Sequence, residues 1–189
     1  MLKKRIIPTL LFKDNKLVKG INFNSWRTVG SIMQSVRTYK LRKVDELILL
    51  DISATNLGRE IDLDLINEVA NECFMPLTFG GGIKTIEDIS NILKSGADKV
   101  CINTASIDNL KFIKEACKIF GSQAIIISVD YKKKGEVIEI WSNSGKVKSN
   151  LVFEDYLKEL ENIGVGEIIL TSIDKDGTME GYDIDTITK

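Results

Sequence analysis

The decapeptide VDELILLDIS, residues 44–53, returns as VGEIILTSID at 165–174, and the same offset of 121 residues lays DLDLI (62–66) over DIDTI (183–187) without a gap. A repeat of that span in a chain of 189 residues requires a fold made of two copies of one multi-element unit. Within the unit, short β-branched apolar runs alternate with longer amphipathic stretches. Strands are expected at 5–11, 46–51, 76–80, 98–103, 124–130 and 166–172. Helices are expected at 30–42, 59–73, 85–95, 107–120 and 151–163, with another starting in 183–189. The stretch 107–120 places Leu110, Ile113, Ala116, Cys117 and Phe120 on one face, as an outer helix on a sheet requires. Strands bounded by Gly, Asp or Asn and separated by helices make βα units and a parallel sheet. Only 16–24 and 136–149 depart from this, alternating like extended excursions after the first and fifth strands.

In the first copy, DLDLI leads through a helix into FMPLTFGGGI and DKVCINTAS, two further strands; in the second, Lys189 falls inside the corresponding helix. Six strands and two without counterpart make eight. The expected fold class is therefore α/β, a (β/α)8 TIM barrel with a two-fold internal repeat, truncated after about six βα units and about 60 residues short of the usual length. The expected organisation is one barrel domain, 1–189, with a first half-barrel over about 1–122 and an incomplete second over about 123–189. An open barrel exposes parallel edges and apolar surface, so a shortened chain is expected rather than a stable three-quarter barrel.

Histidine is absent, which excludes Ser–His–Asp and Cys–His nucleophile systems, histidine metal sites and histidine proton shuttles. Acid/base work falls to Asp, Glu, Lys, Cys or Tyr. Cys73, Cys101 and Cys117 are odd in number and share no C-x-x-C spacing. That is the pattern of reduced thiols in a cytoplasmic protein, not of a disulfide framework or a zinc site. No metal or cofactor is expected. A net charge of −1 offers no field for nucleic acid or an anionic membrane, and Lys132–Lys134 reads as a solvated turn. No stretch approaches the ~20 apolar residues of a membrane span. The opening MLKKRIIPTLLFKD sets basic residues before an apolar run, but that run carries Pro8 and lacks a small-residue cleavage site; it is read as a strand.

In a (β/α)8 barrel, chemistry gathers at the C-terminal ends of the strands. Here those ends are Asp51 and Ser53, FGGGI (79–83), INTAS (102–106), Asp130 and TSIDKDGT (171–178). Gly81 and Gly82 precede a helix, where backbone N–H groups can approach an anion closely; the alternative is a tight βα connection and nothing more. Asn103 and Thr104 could add donors to the same phosphate. DKDGT, with Asp176 and Gly177, stands at a corresponding place in the other half, and two such sites suit a small molecule phosphorylated at both ends. Asp130 ends an apolar strand, where a carboxylate is costly to bury without a purpose; it is read as a general acid/base, with a loop cap as the alternative. Lys19, in LVKG, is either a second catalytic group reaching over the mouth or a solvated loop lysine. At the opposite strand ends Arg5, Glu46, Lys99 and Glu167 alternate in sign, as a salt-bridged ring gating a conduit would.

RII at the start, ELILLDIS, LTFGGGI, GADKVCINTAS, GSQAIIISVD, SNSGK and EIILTSIDKDGT…GYD together resemble the cyclase subunit of imidazole glycerol phosphate synthase, over essentially the whole chain. A sister isomerase of histidine synthesis shares the double phosphate design but not GSQAIIISVD or the charge ring. The resemblance implies a lyase-type reaction. Ammonia from a glutaminase partner at the barrel floor passes the gate of Arg5, Glu46, Lys99 and Glu167. It then attacks a bisphosphorylated ribulosyl aminoimidazole carboxamide nucleotide, giving imidazole glycerol phosphate and a purine precursor. The resemblance assigns Asp98 to the glutaminase interface, Gly82, Asn103 and Thr104 to one phosphate, and Asp176 and Gly177 to the other. Asp130 matches one of two catalytic aspartates; the other belongs at position 11, which is Leu11 here. Leucine transfers no proton, and losing a positioned acid/base costs roughly 10²–10⁴ in rate. A cyclase-like branch with the IIPxLLxK opening, tied to surface-glycan synthesis, implies an alternative: amidination of an N-acetyl sugar. A further reading is a non-catalytic conduit that activates its glutaminase and hands ammonia on.

Overall fold

The computed structural model describes residues 4–189, and its strands form where the apolar runs are short and β-branched. The chain divides into two units, one of residues up to Val18 with Thr28–Cys101, the other of Lys19–Arg27 with Ile102–Lys189. The elements run β1 (Thr9–Lys13), β2 (Lys16–Ile21), β3 (Asn24–Gly30), α1 (Ile32–Leu41), β4 (Leu47–Asp51), α2 (Ala54–Leu57), α3 (Leu63–Glu72), β5 (Leu77–Gly80), α4 (Ile86–Lys94) and β6 (Lys99–Ile102). In the first unit β1, β4, β5 and β6 pair parallel in that order, with Leu11 opposite Leu50, Leu49 opposite Phe79, and Phe79 opposite Val100. β2 turns back antiparallel on β1. Phe12 and Phe79, both 1% exposed, meet at 6.1 Å between ring centroids. The apolar faces of the helices bury Val36, Ile66, Val69, Ile89 and Ile92.

The second unit continues with α5 (Thr104–Asp108), α6 (Leu110–Phe120), β7 (Ile125–Lys134), β8 (Val137–Ser142), β9 (Val147–Val152), α7 (Phe153–Ile163), β10 (Glu167–Ser172) and α8 (Ile184–Ile187). β7 and β10 pair parallel, while β7, β8 and β9 form an antiparallel meander. The α/β class and the order of parallel βα units are those expected from the sequence. Among the described residues no helix is long and apolar enough to cross a membrane.

Several boundaries differ from the sequence reading, each for a local reason. β1 begins at Thr9 rather than residue 5, after Pro8, whose carbonyl accepts the Ile48 N–H at 3.0 Å. The helix expected from 59 starts at Leu63 because the Asp62 carboxylate caps the Leu65 N–H. Helix 107–120 is broken at Asn109, whose side chain accepts from both Lys111 N–H and Phe112 N–H and so opens α6 afresh. Lys132–Lys134 is not a solvated turn. It is the end of β7, with Lys132 over the Trp141 ring at 3.8 Å and Lys133 on Asp183 at 3.2 Å.

The repeat is visible in the geometry. Asp62 precedes α3 and Asp183 precedes α8, but Asp183 is 5% exposed and accepts from Thr186 at 2.7 Å, Tyr131 at 3.1 Å and Lys133. Burial alone would raise its pKa; the three hydrogen bonds outweigh burial and pull it down to about 2. A carboxyl lowered on folding stabilises the fold above its unfolded value, near pH 4, and ceases to do so as pH falls through its folded value. The urea midpoint is therefore expected to drop between about pH 4 and pH 2, and to drop less in Asp183→Asn.

Candidate active site

The sequence reading ends this strand at Asp130, but β7 runs on to Lys134; an acid within an apolar strand must find partners or a proton, and among the described residues Asp130 finds no cation. It is 7% exposed and lies opposite Thr171 of β10 and Trp141 of β8. Ser128 donates its hydroxyl to Oδ1 at 3.1 Å, and Asn103 donates its amide to Oδ2 at 3.3 Å and to the Ser128 carbonyl at 3.0 Å. Burial pushes the Asp130 carboxyl up to about 7; the Ser128 bond opposes this and the charge of Asp176 adds to it. Both bonding partners are side chains, so the bonding is not that of a loop cap. A carboxyl near half-protonation at neutral pH can give or take a proton.

Asp176 sits in the turn that leaves β10. Its N–H bonds the Ser172 carbonyl at 2.9 Å and its carbonyl accepts the Asn22 N–H at 2.8 Å. The Asn22 amide reaches the Ile173 and Asp174 carbonyls at 3.1 and 2.6 Å, so the tip of the β2–β3 hairpin pins the turn. At Gly177, φ is +71° and a Cβ would stand 2.1 Å from the Gly20 carbonyl oxygen; only glycine fits. Burial raises the Asp176 carboxyl, offset in part by the Phe23 N–H, and its Oδ2 is sealed from solvent with no hydrogen-bond partner among the described residues. A phosphate at this turn would be repelled by that carboxylate and would rely on backbone N–H groups. Lys19, on β2, has an exposed side chain.

The two halves of the first expected phosphate site lie in different units. In the first unit Gly81 and Gly82 have φ of +116° and +76°, and a Cβ at Gly81 would stand 2.4 Å from the Asp51 carbonyl oxygen. The Gly82 N–H points to the Thr55 hydroxyl at 3.3 Å. In the second unit Thr104 opens α5, donating its hydroxyl to Asn103 at 3.2 Å and accepting the Asn143 N–H at 3.1 Å.

At the strand starts of the first unit Glu46, 4% exposed, is paired with Arg5 and with Lys99 at 2.8 Å. Glu167 begins β10 in the second unit, opposite Ile126. Asp98 acts on the neighbouring strand, where its carboxylate accepts the Leu77 N–H at 2.8 Å, as Asp45 accepts that of Ile6 at 2.9 Å. Each acid stands one residue before a member of the buried ion pair, Asp98 aligning the start of β5 and Asp45 the segment that leads into β1.

Sequence reasoning missed Arg59, which bridges Asp14 and Asp51, both at 3.3 Å, and also holds Ser53. No spacing announces it, because it comes from the loop after α2. Trp141 was missed too; its Nε1 is buried without a partner among the described residues, and only the β7–β8 register, invisible in sequence, puts it beside Asp130.

Parallel βα units, glycine turns and a buried acid on β7 define a (β/α)-barrel enzyme of small-molecule chemistry. Residues 5–189 match the family described as histidine biosynthesis protein. The imidazole glycerol phosphate synthase subunit HisF of Dictyoglomus thermophilum is 46% identical over 188 residues, 99% of this chain and 75% of its own length. That of Thermococcus onnurineus is 44% identical over 184 residues, 97% of this chain and 73% of its own. A Campylobacter jejuni protein provisionally named subunit hisF2 of the same synthase is 46% identical over 187 residues, 99% and 74%. The chain belongs to the HisF family, the lyase-type cyclase subunits of imidazole glycerol phosphate synthase in histidine biosynthesis.

Asp130 also sets a test of stability. A carboxyl raised on folding costs the native state increasingly as pH climbs from its unfolded to its folded value. Asp130→Asn is therefore expected to unfold at higher urea than the native chain by a margin that widens from about pH 4 to about pH 7 and then levels.

Proposed function

We propose that this chain condenses ammonia with a bisphosphorylated ribulosyl aminoimidazole carboxamide nucleotide, giving imidazole glycerol phosphate and a purine precursor. The observation that carries the reading is Asp130, a buried acid held by Asn103 and Ser128 with a pKa of about 7. Such a group protonates the carbonyl oxygen as ammonia adds and takes the excess proton from nitrogen. Gly81 and Gly82 in the first unit, and Asn103 and Thr104 in the second, each offer donors to a phosphate, as does the Asp176–Gly177 turn. Lys19 is the further catalytic group, reaching over the strand ends from β2.

Ammonia comes from a glutaminase subunit seated where the strands begin. In the first unit Arg5, Glu46 and Lys99 guard its entry, with Asp98 at the interface; in the second, Glu167 is the corresponding charge. The reaction is cytoplasmic; Cys73, Cys101 and Cys117 are all free thiols, which suits a reducing compartment.

Leu11 favours a second reading. It is half-buried on β1 opposite Leu50 and can exchange no proton, where the family resemblance expects an aspartate. A substrate other than the nucleotide, such as an N-acetyl sugar to be amidinated, answers that change; so does a conduit that activates its glutaminase and passes ammonia on.

The deciding experiment supplies ammonium salts and the bisphosphorylated nucleotide to the protein and follows consumption by absorbance. Turnover above background is expected. A folded protein that binds both phosphates and does not turn over moves the assignment to the sugar. With the glutaminase present, Lys99→Ala is expected to lower glutamine-dependent turnover while sparing turnover on ammonium salts; equal loss of both would remove the gate from the proposal.

A further inference from the structure

We infer that Lys132 is the cation of the Asp130 site, and that its ammonium takes a negatively charged oxygen of the substrate. That oxygen belongs either to a phosphate or to the carbonyl as charge develops on it. The inference rests on the condensation reading above for the substrate, and on the β7–β8–β9 meander for the cation. All of its residues lie in the second unit.

Side chains two apart on a strand share a face, and residues directly opposite on an antiparallel partner share it too. Asp130 pairs with Trp141 and Lys132 with Glu139, while Trp141 pairs in turn with Lys148 on β9. One face of the meander therefore carries Asp130, Lys132, Glu139, Trp141 and Lys148. Directly opposite Cβ atoms lie about 5 Å apart, so Trp141 is the immediate neighbour of Asp130. The Lys132 ammonium stands 3.8 Å from the centroid of that ring. It is held beside the acid without bonding it, since the Asp130 carboxyl receives Ser128 and Asn103.

The cations around Lys132 are engaged, and Lys132 is not. Glu139 stands opposite it and feels its charge, but Lys148 makes the bond, at 2.6 Å, and is the larger influence. Lys133, on the other face, bonds Asp183 at 3.2 Å, and Lys175 reaches the Tyr182 carbonyl at 3.4 Å. Lys132 is partly buried and rests on a ring face, which attracts a cation but offers its N–H groups no oxygen. The same face is short of acceptors in a second way. Trp141 Nε1, a donor only, is buried with no partner among the described residues, and an unmade buried hydrogen bond is costly. Lys132 and Lys148 outnumber Glu139 by one positive charge. An oxygen carrying negative charge answers both the free donors and the charge. The lysine stem is flexible, so the ammonium passes from ring to anion, and the uncovered ring can turn its N–H the same way.

At the carbonyl the consequence is direct. Ammonia's lone pair forms the C–N bond and the carbonyl π pair moves to oxygen, where the ammonium stabilises it. That oxygen then takes the proton of Asp130, and the new ammonium nitrogen returns one to the carboxylate, leaving a carbinolamine. At a phosphate the same ammonium fixes the substrate and leaves the step itself unchanged.

The first test needs no substrate. Trp26→Phe leaves Trp141 as the single tryptophan, and inorganic phosphate is titrated at constant ionic strength while its emission is followed. A saturable change is expected as the ammonium leaves the ring, with affinity about tenfold weaker in Lys132→Met and kept in Lys132→Arg. No saturable change, or the same affinity in folded Lys132→Met, overturns the inference. On the nucleotide and ammonium salts, Lys132→Met is expected to lose about 10- to 100-fold in kcat/KM. A loss carried by KM assigns the phosphate oxygen, and a loss carried by kcat assigns the carbonyl oxygen; an unchanged kcat/KM overturns the inference. If the phosphate response is found and is lost in Lys132→Met, but the native chain does not turn over the nucleotide, Lys132 stands as the cation of the site and the condensation reading falls.

Discussion

The parallel pairing of β7 with β10 is the constraint on which the candidate site depends. Its register sets Asp130 opposite Thr171 and Tyr131 opposite Ser172, and a slip of one residue would exchange the two faces of the strand. Asp130 would then turn away from the β10 turn, and Tyr131 would take its place. As built, adjacent residues serve two layers. Asp130 faces Asn103 and Ser128, while Tyr131, 1% exposed, gives its hydroxyl to Asp183 and ties α8 to the strand. The hairpin tip at Asn22 completes the arrangement from the β2 side by bonding the turn after β10.

Three buried acids show how environment decides what a carboxylate is for. Glu46 has two cations, Arg5 and Lys99, and is a structural ion pair at the strand starts. Removing one partner from such a buried pair is typically costlier than the pair itself is stabilising. Asp183 has one cation and two hydroxyl donors and is held low, near 2. Asp130 has an amide and a hydroxyl but no cation, so desolvation wins and its pKa rises to about 7. The same physics makes Asp130 unfavourable for stability and suited to proton transfer, a trade found where activity needs a strained or destabilised group.

Family membership and local chemistry answer different questions here. Identity of 44–46% over nearly the whole chain fixes the family, because so many matched positions constrain one fold. It does not decide the chemistry of single side chains such as Leu11, which can exchange no proton. Leu11 lies in register with Leu50 on β4, among apolar neighbours.

The 121-residue repeat, the alternation of βα units and the absence of histidine determined the architecture, the barrel class and the restriction to Asp, Glu, Lys, Cys or Tyr chemistry. Periodicity survives in sequence because burial of a strand or helix face requires it wherever the element sits. Asp130 and the charges Arg5, Glu46 and Lys99 were legible for the same reason, since a charge at the edge of an apolar run is conspicuous. Helix starts at Asp62 and Asn109 were misjudged because a cap is one side chain reaching two or three residues, with no period to reveal it. Arg59, Trp141 and the sealed oxygen of Asp176 were out of reach altogether. Register, turn geometry and burial set their surroundings, and those are properties of distant segments brought together: Asn22 bonds a turn 151 residues away in sequence. Which groups occupy the strands was written in the chain; which of them meet only the packing decided.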